Sequence, residues 1–229
     1  MSKYENVDTV IEKFSGAIIE AGRGPGDVYQ PFAVNAEDYF AYGYEDLGRG
    51  KDTHNLLNAI GNIKRAIDCR LDSILHFWGM YSYAKRKNLS FEQRLDLVAQ
   101  SGMIAPSVLR KINTYRNRAE HDYTSPEYDD VQDFCDIAQL FLGYTDNLLR
   151  TEVDADIAFE EMLNGESGLY ERVSIGFDRP KSEFKLEIGI PFINEETKED
   201  EITTEILLIP FKDNVDNYLR VIRWWHSLN

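Results

Sequence analysis

Apolar residues along this chain recur first with the period of a helix and, past its middle, with the period of a strand. Val7, Val10, Ile11, Phe14, Ile18 and Ile19 share one helical face, and the pattern stops at Gly22-Arg23-Gly24-Pro25-Gly26, so a first helix is predicted over residues 4–21. From Asp27 to Gly50 no period is evident. That stretch reads as an ordered connector with room for one helical turn, in which Tyr39, Tyr42 and Tyr44 are packing residues of a loop. The strongest signal begins at Thr53, taken as an N-cap, and runs through Leu56, Leu57, Ile60, Ile63, Ile67, Leu71, Ile74, Leu75 and Trp78. A shorter helix opens at Ser90 and ends before Gly102. Another starts at Pro106-Ser107, and a long one starts at Pro126 with Val131, Phe134, Ile137, Ala138, Phe141, Leu142 and Leu148 facing inward.

After about residue 165 the alternation becomes two. Leu169, Val173, Ile175 and Phe177 predict one strand; Phe184, Leu186, Ile188 and Ile190 predict a second. Asp178 to Lys181 supplies the hairpin turn between them. Ile202 to Ile209 makes a third strand after the acidic loop Asn194 to Glu201, with Pro191 and Pro210 as strand ends because proline cannot donate to a ladder. An amphipathic segment with Val215, Tyr218, Leu219, Ile222 and Trp225 closes the chain; its Trp224 and Trp225 could anchor a partner, but packing against the sheet is the expectation. The predicted fold class is therefore mainly α: an antiparallel helical bundle, favoured by consecutive helices with short connections, followed by a small antiparallel β-sheet with a terminal helix, α+β overall. The expected boundaries are a helical domain over 1–160, with its core at 53–150, and a β module over 165–229.

With 229 residues, the chain has length for one large or two small domains, each with its own core. No apolar run approaches a bilayer span, and MSKYENVDTV lacks the basic start and apolar core of a secretory signal, so a cytoplasmic protein with no membrane contact is expected. Cys69 and Cys135 are too few for a disulfide framework and read as small core residues in a reducing compartment.

Net charge of −15 argues against indiscriminate adhesion to nucleic acid. Its distribution changes that picture. Residues 61–120 hold eleven cations against five acids, a local excess of +6, which leaves −21 on the remainder. That segment is where a phosphate backbone would rest, with Arg110, Lys111 and Arg118 as candidate RNA-binding cations; solvated helix faces are the plainer reading for Lys85 to Lys87.

Inside that segment lies Arg116-Asn117-Arg118-Ala119-Glu120-His121-Asp122-Tyr123. Cleaving RNA without a metal requires deprotonation of the 2′-hydroxyl, neutralisation of charge on the phosphorane and protonation of the leaving 5′-oxygen. His121 suits proton transfer, because only imidazole titrates near neutrality without perturbation. Arg116 offers a permanently charged fork matched to phosphate oxygens. Asn117 can orient the imidazole or hold a phosphate oxygen, and Tyr123 can donate to phosphate or stack on a base. Five residues along an ideal helix rotate the side chain by about 500°, leaving Arg116 and His121 roughly 140° apart. Either the helix ends inside the motif, or two copies pool residues across a two-fold axis.

The spacing resembles the signature of the HEPN superfamily: an Arg, a polar residue after it, a His at the fifth position and, in one toxin branch, a Tyr two further on. For this composition Arg-x4-His alone is expected about 0.2 times by chance, and the fuller pattern roughly 0.002 times, so the added Asn and Tyr carry the specificity. The resemblance covers about residues 53–150 and implies a metal-independent ribonuclease that leaves 2′,3′-cyclic phosphates. It further implies a homodimer built along these helices, RNA as substrate, no cofactor and a setting in bacterial or phage defence. In the toxin branch the Tyr is adenylylated by a nucleotidyltransferase antitoxin, which makes Tyr123 an implied modification site and a regulatory or antitoxin protein an implied partner. The first helix and the C-terminal β module depart from that branch and put such a partner in doubt.

Other readings of the same residues are structural. Arg116 can pair with Glu120 at i+4, His121 can complement a helix C-terminus, and Tyr123 can pack beneath the loop before Pro126. On that view the chain is a non-catalytic, dimeric interaction or sensor module. Gly48-Arg49-Gly50-Lys51-Asp52-Thr53 fails as a phosphate loop because Asp52 interrupts the Gly-Lys-Ser/Thr run. His54, His76 and His226 lack neighbours at ligand spacing, so no metal is expected. Asp129, Asp130 and Asp133 read as acids favoured at a helix start.

Overall fold

The computed structural model describes residues 3–22, 27–102, 107, 109–111, 113–114, 125–150, 154–158 and 170–228. The chain divides into two compact units: residues 26–150 form one, and residues 1–25 together with 151–229 form the other.

The first of these is helical. Asn35 accepts the backbone N–H of Asp38 while Asp38 accepts that of Asn35, and this reciprocal cap starts α1 of the unit, which we number α2 in the chain, Ala36–Arg49. A full helix thus stands where a connector was expected. The signal was present in Asn-Ala-Glu-Asp, but the Gly- and Tyr-rich stretch after it hid the period. α3 spans Thr53–Phe77, and its cap is Asp52, whose carboxylate accepts from the N–H groups of His54 and Asn55; Thr53 is the first helical residue. Asp52 interrupts the phosphate-loop pattern because the helix uses it as a cap.

α3 is the hub. Leu56, Ile60, Ile63, Ile67, Leu71 and Ile74 are all buried along it, and each such side chain contributes about 1.5–3 kcal/mol of apolar burial. Helices α2, α4 (Tyr81–Arg86), α5 (Phe91–Gln100) and α6 (Tyr128–Arg150) pack on it, and α2 also touches α6. α2 approaches closely at Gly43, where a Cβ would lie 3.0 Å from Ile63 Cγ1 and 3.1 Å from the Ala59 carbonyl. As expected, Ser90 caps α5, here by a reciprocal bond with Gln93. Residues 107, 109–111, 113 and 114 are also helical. At the ends of the unit, Tyr29 N–H donates to the Leu149 carbonyl at 3.0 Å.

In the other unit a five-stranded antiparallel sheet runs in the order β1-β2-β3-β4-β5. Its strands are Ile18–Gly22, Asp154–Ala158, Arg172–Asp178, Glu183–Ile193 and Asp200–Pro210. This overturns the expectation of a mainly α chain, an antiparallel helical bundle with a small appended sheet. The protein is mixed α+β, and a bundle is not its architecture. Two strands were concealed. α1 covers only Val7–Lys13, and the chain turns at Gly16, whose φ of +81° no helix accepts, before Ile18 pairs with Ala158 and Ile19 with Ile157. Ile18 and Ile19 fit a helical face and a strand equally well, so spacing alone could not separate them.

The hairpin at Asp178–Lys181 is present, with Asp178 Oδ1 accepting from Lys181 N–H at 3.1 Å. Pro191, expected to end a strand, instead lies inside β4 opposite Ile202. β3 stops pairing with β4 at Arg172↔Gly189, so a proline beyond that point breaks no ladder bond on that side. One face of the sheet is covered by α7, Val215–Ser227, through buried Tyr218, Leu219, Ile222 and Trp225. Tyr218 meets Phe184 at 4.8 Å and Phe211 at 5.2 Å between ring centroids. Trp224 and Trp225 are both buried.

Candidate functional site

Arg116, Asn117, Arg118, His121 and Tyr123 lie outside the described residues. Upstream, the helical residues Arg110 and Asn113 are tied to α5. Arg110 Nε donates to Glu92 Oε2 at 3.1 Å and Arg110 Nη2 pairs with Asp96, while Asn113 Nδ2 donates to Glu92 Oε1 at 3.1 Å. Downstream, Ser125 Oγ lies 3.1 Å from Thr53 Oγ1 at the start of α3, and Lys51 Nζ sits 4.0 Å over the Tyr128 ring. The described residues that flank the motif segment, Asn113 and Ser125, thus bond to helices of one unit, at Glu92 and at Thr53.

The local cationic surplus looks different in three dimensions. Arg110, singled out for RNA, is held by two carboxylates, whereas Lys111 is exposed. Lys64 pairs with Asp68; Arg94 bridges Asp68 at 3.0 Å and Asp72; Lys85 lies 3.9 Å from Asp72. Arg70, 1% exposed, pairs with Glu37 of α2 and places Nη2 2.7 Å from Asp146 Oδ1 of α6. Most of these partners are acids already counted in the +6; only Glu37 and Asp146 come from outside the segment, and both meet Arg70. Exposed pairs of this kind contribute about 0–1 kcal/mol each, but they set the field that a phosphate would meet. Arg70 differs, because its Nε and Nη1 make no hydrogen bond and Nη2 reaches Asp146 outside hydrogen-bond alignment. Its role is to hold α2, α3 and α6 together.

Among the described residues, no other titratable group supplies an alternative centre. Burial pushes the Cys69 thiol up to about 11, helped by Asp72, and burial followed by Asp136 does the same at Cys135, so neither is a poised nucleophile. His76 Nδ1 shares a 2.7 Å hydrogen bond with the Tyr29 hydroxyl, and its ring is packed by Phe32 and Tyr81. His54 Nε2 lies 3.2 Å from Asn58 Nδ2. Burial alone drives His226 down to about 4. Asp129 and Asp130 occupy the first turn of α6, where acids favour the helix dipole. Among the described residues, no group of three His, Cys, Asp or Glu side chains is placed to hold a metal, and no helix is long and apolar enough to cross a membrane.

Two cavities were not foreseen. One of about 340 Å³ in the helical unit is walled by Phe32, Tyr39, Tyr81, Arg65, Asp68 and Asp72. Another of about 560 Å³ lies between α1 and α7, where Asp8 and Glu12 face Arg220 and Arg223 over Ile11 and Trp224. Both are assembled from segments separated in sequence, which no local spacing announces. Comparison with protein-family models, with curated proteins and with solved structures finds no match to the chain.

Proposed function

We propose that the chain is a metal-independent RNA endonuclease of the HEPN type, acting in the cytoplasm as a homodimer in bacterial or phage defence or a toxin-antitoxin-like system. The observation that carries this reading is the segment Arg116-Asn117-Arg118-Ala119-Glu120-His121-Asp122-Tyr123, in which a fork-shaped cation, a carboxamide, an imidazole and a phenol stand within eight residues. Further support comes from the anchoring of both flanks of that segment to α5 and α3, since a site built between rigid elements keeps reacting groups in register.

In this reaction the 2′-oxygen bonds to phosphorus as the P–O5′ bond breaks, leaving a 2′,3′-cyclic phosphate and a 5′-hydroxyl. His121 transfers the proton, Arg116 holds the charge that builds on the phosphoryl oxygens, and Asn117 and Tyr123 orient imidazole and phosphate. Arg118 and Lys111 provide electrostatic guidance for the backbone. Arg110 contributes less, because Glu92 and Asp96 already engage it. Tyr123 is the residue at which an antitoxin partner would block the site by modification.

A second reading, a non-catalytic interaction or sensor module, is favoured by the pairing of Lys64, Arg70, Arg94 and Arg110 with carboxylates, which leaves less free charge for a polyanion. Incubating purified protein with labelled RNA in chelator, beside Arg116→Ala and His121→Ala, separates the two. Cleavage to cyclic-phosphate ends that both substitutions abolish is the expected result. Equal cleavage by His121→Ala, or no cleavage by the parent across varied RNAs, overturns the nucleolytic reading.

A further inference from the structure

The cavity between α1 and α7 carries the chemistry of a small-molecule site. It measures about 560 Å³, inside the range of about 300–1,000 Å³ usual for such sites. Its two helices belong to the same unit and line it with opposite charge. α1 contributes Asp8 and Glu12, one helical turn apart and so on one face, while α7 contributes Arg220 and Arg223. Ile11 and Trp224 add apolar surface.

Asp8 and Arg220 satisfy each other, because Arg220 Nη1 donates to Asp8 Oδ1 and ties the two helices at that point. One turn further along each helix the picture changes. Glu12 is exposed, and among the described residues its carboxylate has no hydrogen-bond or ion-pair partner. Arg223 is exposed on the α7 side of the same cavity. Beside it, Trp224 is only 5% exposed, and its Nε1 is shielded from water without a hydrogen-bond partner among the described residues. An indole nitrogen can only donate, and folded proteins leave few buried donors unmatched. What the α7 wall lacks is an acceptor.

We propose that this cavity binds a small zwitterion with an apolar body, an apolar α-amino acid or dipeptide. Its ammonium pairs with Glu12, its carboxylate is taken by Arg223 and Trp224 Nε1, and its side chain lies against Ile11 and the indole ring. Charge decides the class. A ligand with a carboxylate alone would bring that charge into a space that Glu12 lines unpaired, and one with an ammonium alone would bring it beside Arg223; like charges set together cost binding. A zwitterion answers both walls. The planar fork of a guanidinium matches a carboxylate, and a carboxylate is also the acceptor that the indole N–H lacks. The body is apolar because a polar one would lose its water at Ile11 and Trp224 without gaining a partner. None of this depends on the nucleolytic reading.

Titration calorimetry and thermal unfolding of the full chain test the site with L-leucine, L-phenylalanine and leucyl-leucine up to about 10 mM, ten times above a weak Kd of about 1 mM. At least one of the three is expected to bind and to raise the melting temperature. For that ligand, the N-acetylated form, which has no ammonium, and the amide, which has no carboxylate, should each bind at least about tenfold more weakly, the effect of one charge-assisted hydrogen bond. Glu12→Gln and Arg223→Gln, both at exposed positions, should cause losses of the same size with circular dichroism unchanged, and Trp224→Phe, which keeps a ring and removes the donor, should weaken binding as well. Absence of heat and of a thermal shift with all three ligands, equal binding of the N-acetylated form or of the amide, or unchanged affinity in Glu12→Gln or Arg223→Gln each overturns the proposal.

Discussion

His226 gives the sharpest link between a single buried group and the stability of its unit. Its imidazole is half-buried on α7 with Nε2 shielded from solvent, and this burial lowers its pKa from 6.5 to about 4. The folded chain therefore resists a proton that the unfolded chain takes up readily. Stability from this group is fully present above pH 6.5, falls as the pH drops below that value, and is exhausted once the folded pKa near 4 is passed. Taking these two values, acidification from pH 7 to pH 5 costs about 2 kcal/mol, and the full shift corresponds to about 3 kcal/mol. Carboxylates add their own losses in acid. At Glu171 burial pushes the carboxyl up, but hydrogen bonds from Lys3 and Lys13 outweigh it and hold the group below its usual range. Those losses are common to wild type and to His226→Gln, so the difference between the two isolates the histidine. Urea unfolding followed by Trp224 and Trp225 fluorescence at pH 7, 6 and 5 should show the wild type losing about 2 kcal/mol more than the variant. Parallel pH dependences would refute the reasoning, because they would mean that the imidazole is as well hydrated folded as unfolded.

Arg70 offers a test of opposite sign, since replacing a buried ion by an apolar residue and stranding it have different consequences. Arg70→Met should leave stability within about 1 kcal/mol of wild type, while Glu37→Gln with Asp146→Asn, which leaves the cation buried and unpaired, should cost about 3–5 kcal/mol; denaturant unfolding followed by far-ultraviolet circular dichroism ranks them, and a more damaging Arg70→Met would contradict the assignment. Gly43→Ala adds a methyl where Ile63 and Ala59 leave only 3.0–3.1 Å, so a loss of about 1–3 kcal/mol is expected despite the better helix propensity of alanine. A melting temperature equal to or above that of wild type would show that α2 and α3 stand further apart.

What could be read along the chain was whatever a single segment decides for itself. The periods of α3, α5 and α6 were visible because each buries one long stripe, and the β3–β4 hairpin announced itself through alternation around Asp178 to Lys181. β1 was illegible because Ile18 and Ile19 satisfy either period and only their distant partners, Ala158 and Ile157, decide between them. The same limit applied to charge. Counting cations over 61–120 could not show that Arg70 is answered by Glu37 and Asp146, which come from outside that window. The motif chemistry was legible as residue types and spacing. Its fastening at Glu92 and Thr53 was not, because both contacts join segments that a linear scan keeps apart.

The pairing of Ile18–Gly22 with Asp154–Ala158 has a consequence for synthesis. A ribosome delivers the first strand of the sheet more than a hundred residues before its neighbour, so this strand must wait, unzipped, while the whole helical unit is made and can fold. That intervening unit has its own ends stitched together by the Tyr29–Leu149 hydrogen bond, which holds the two loose strands of chain close to each other when the later one finally appears. Nascent chains arrested before residue 154 should accordingly protect the helices from protease while leaving the amino-terminal segment open to cleavage.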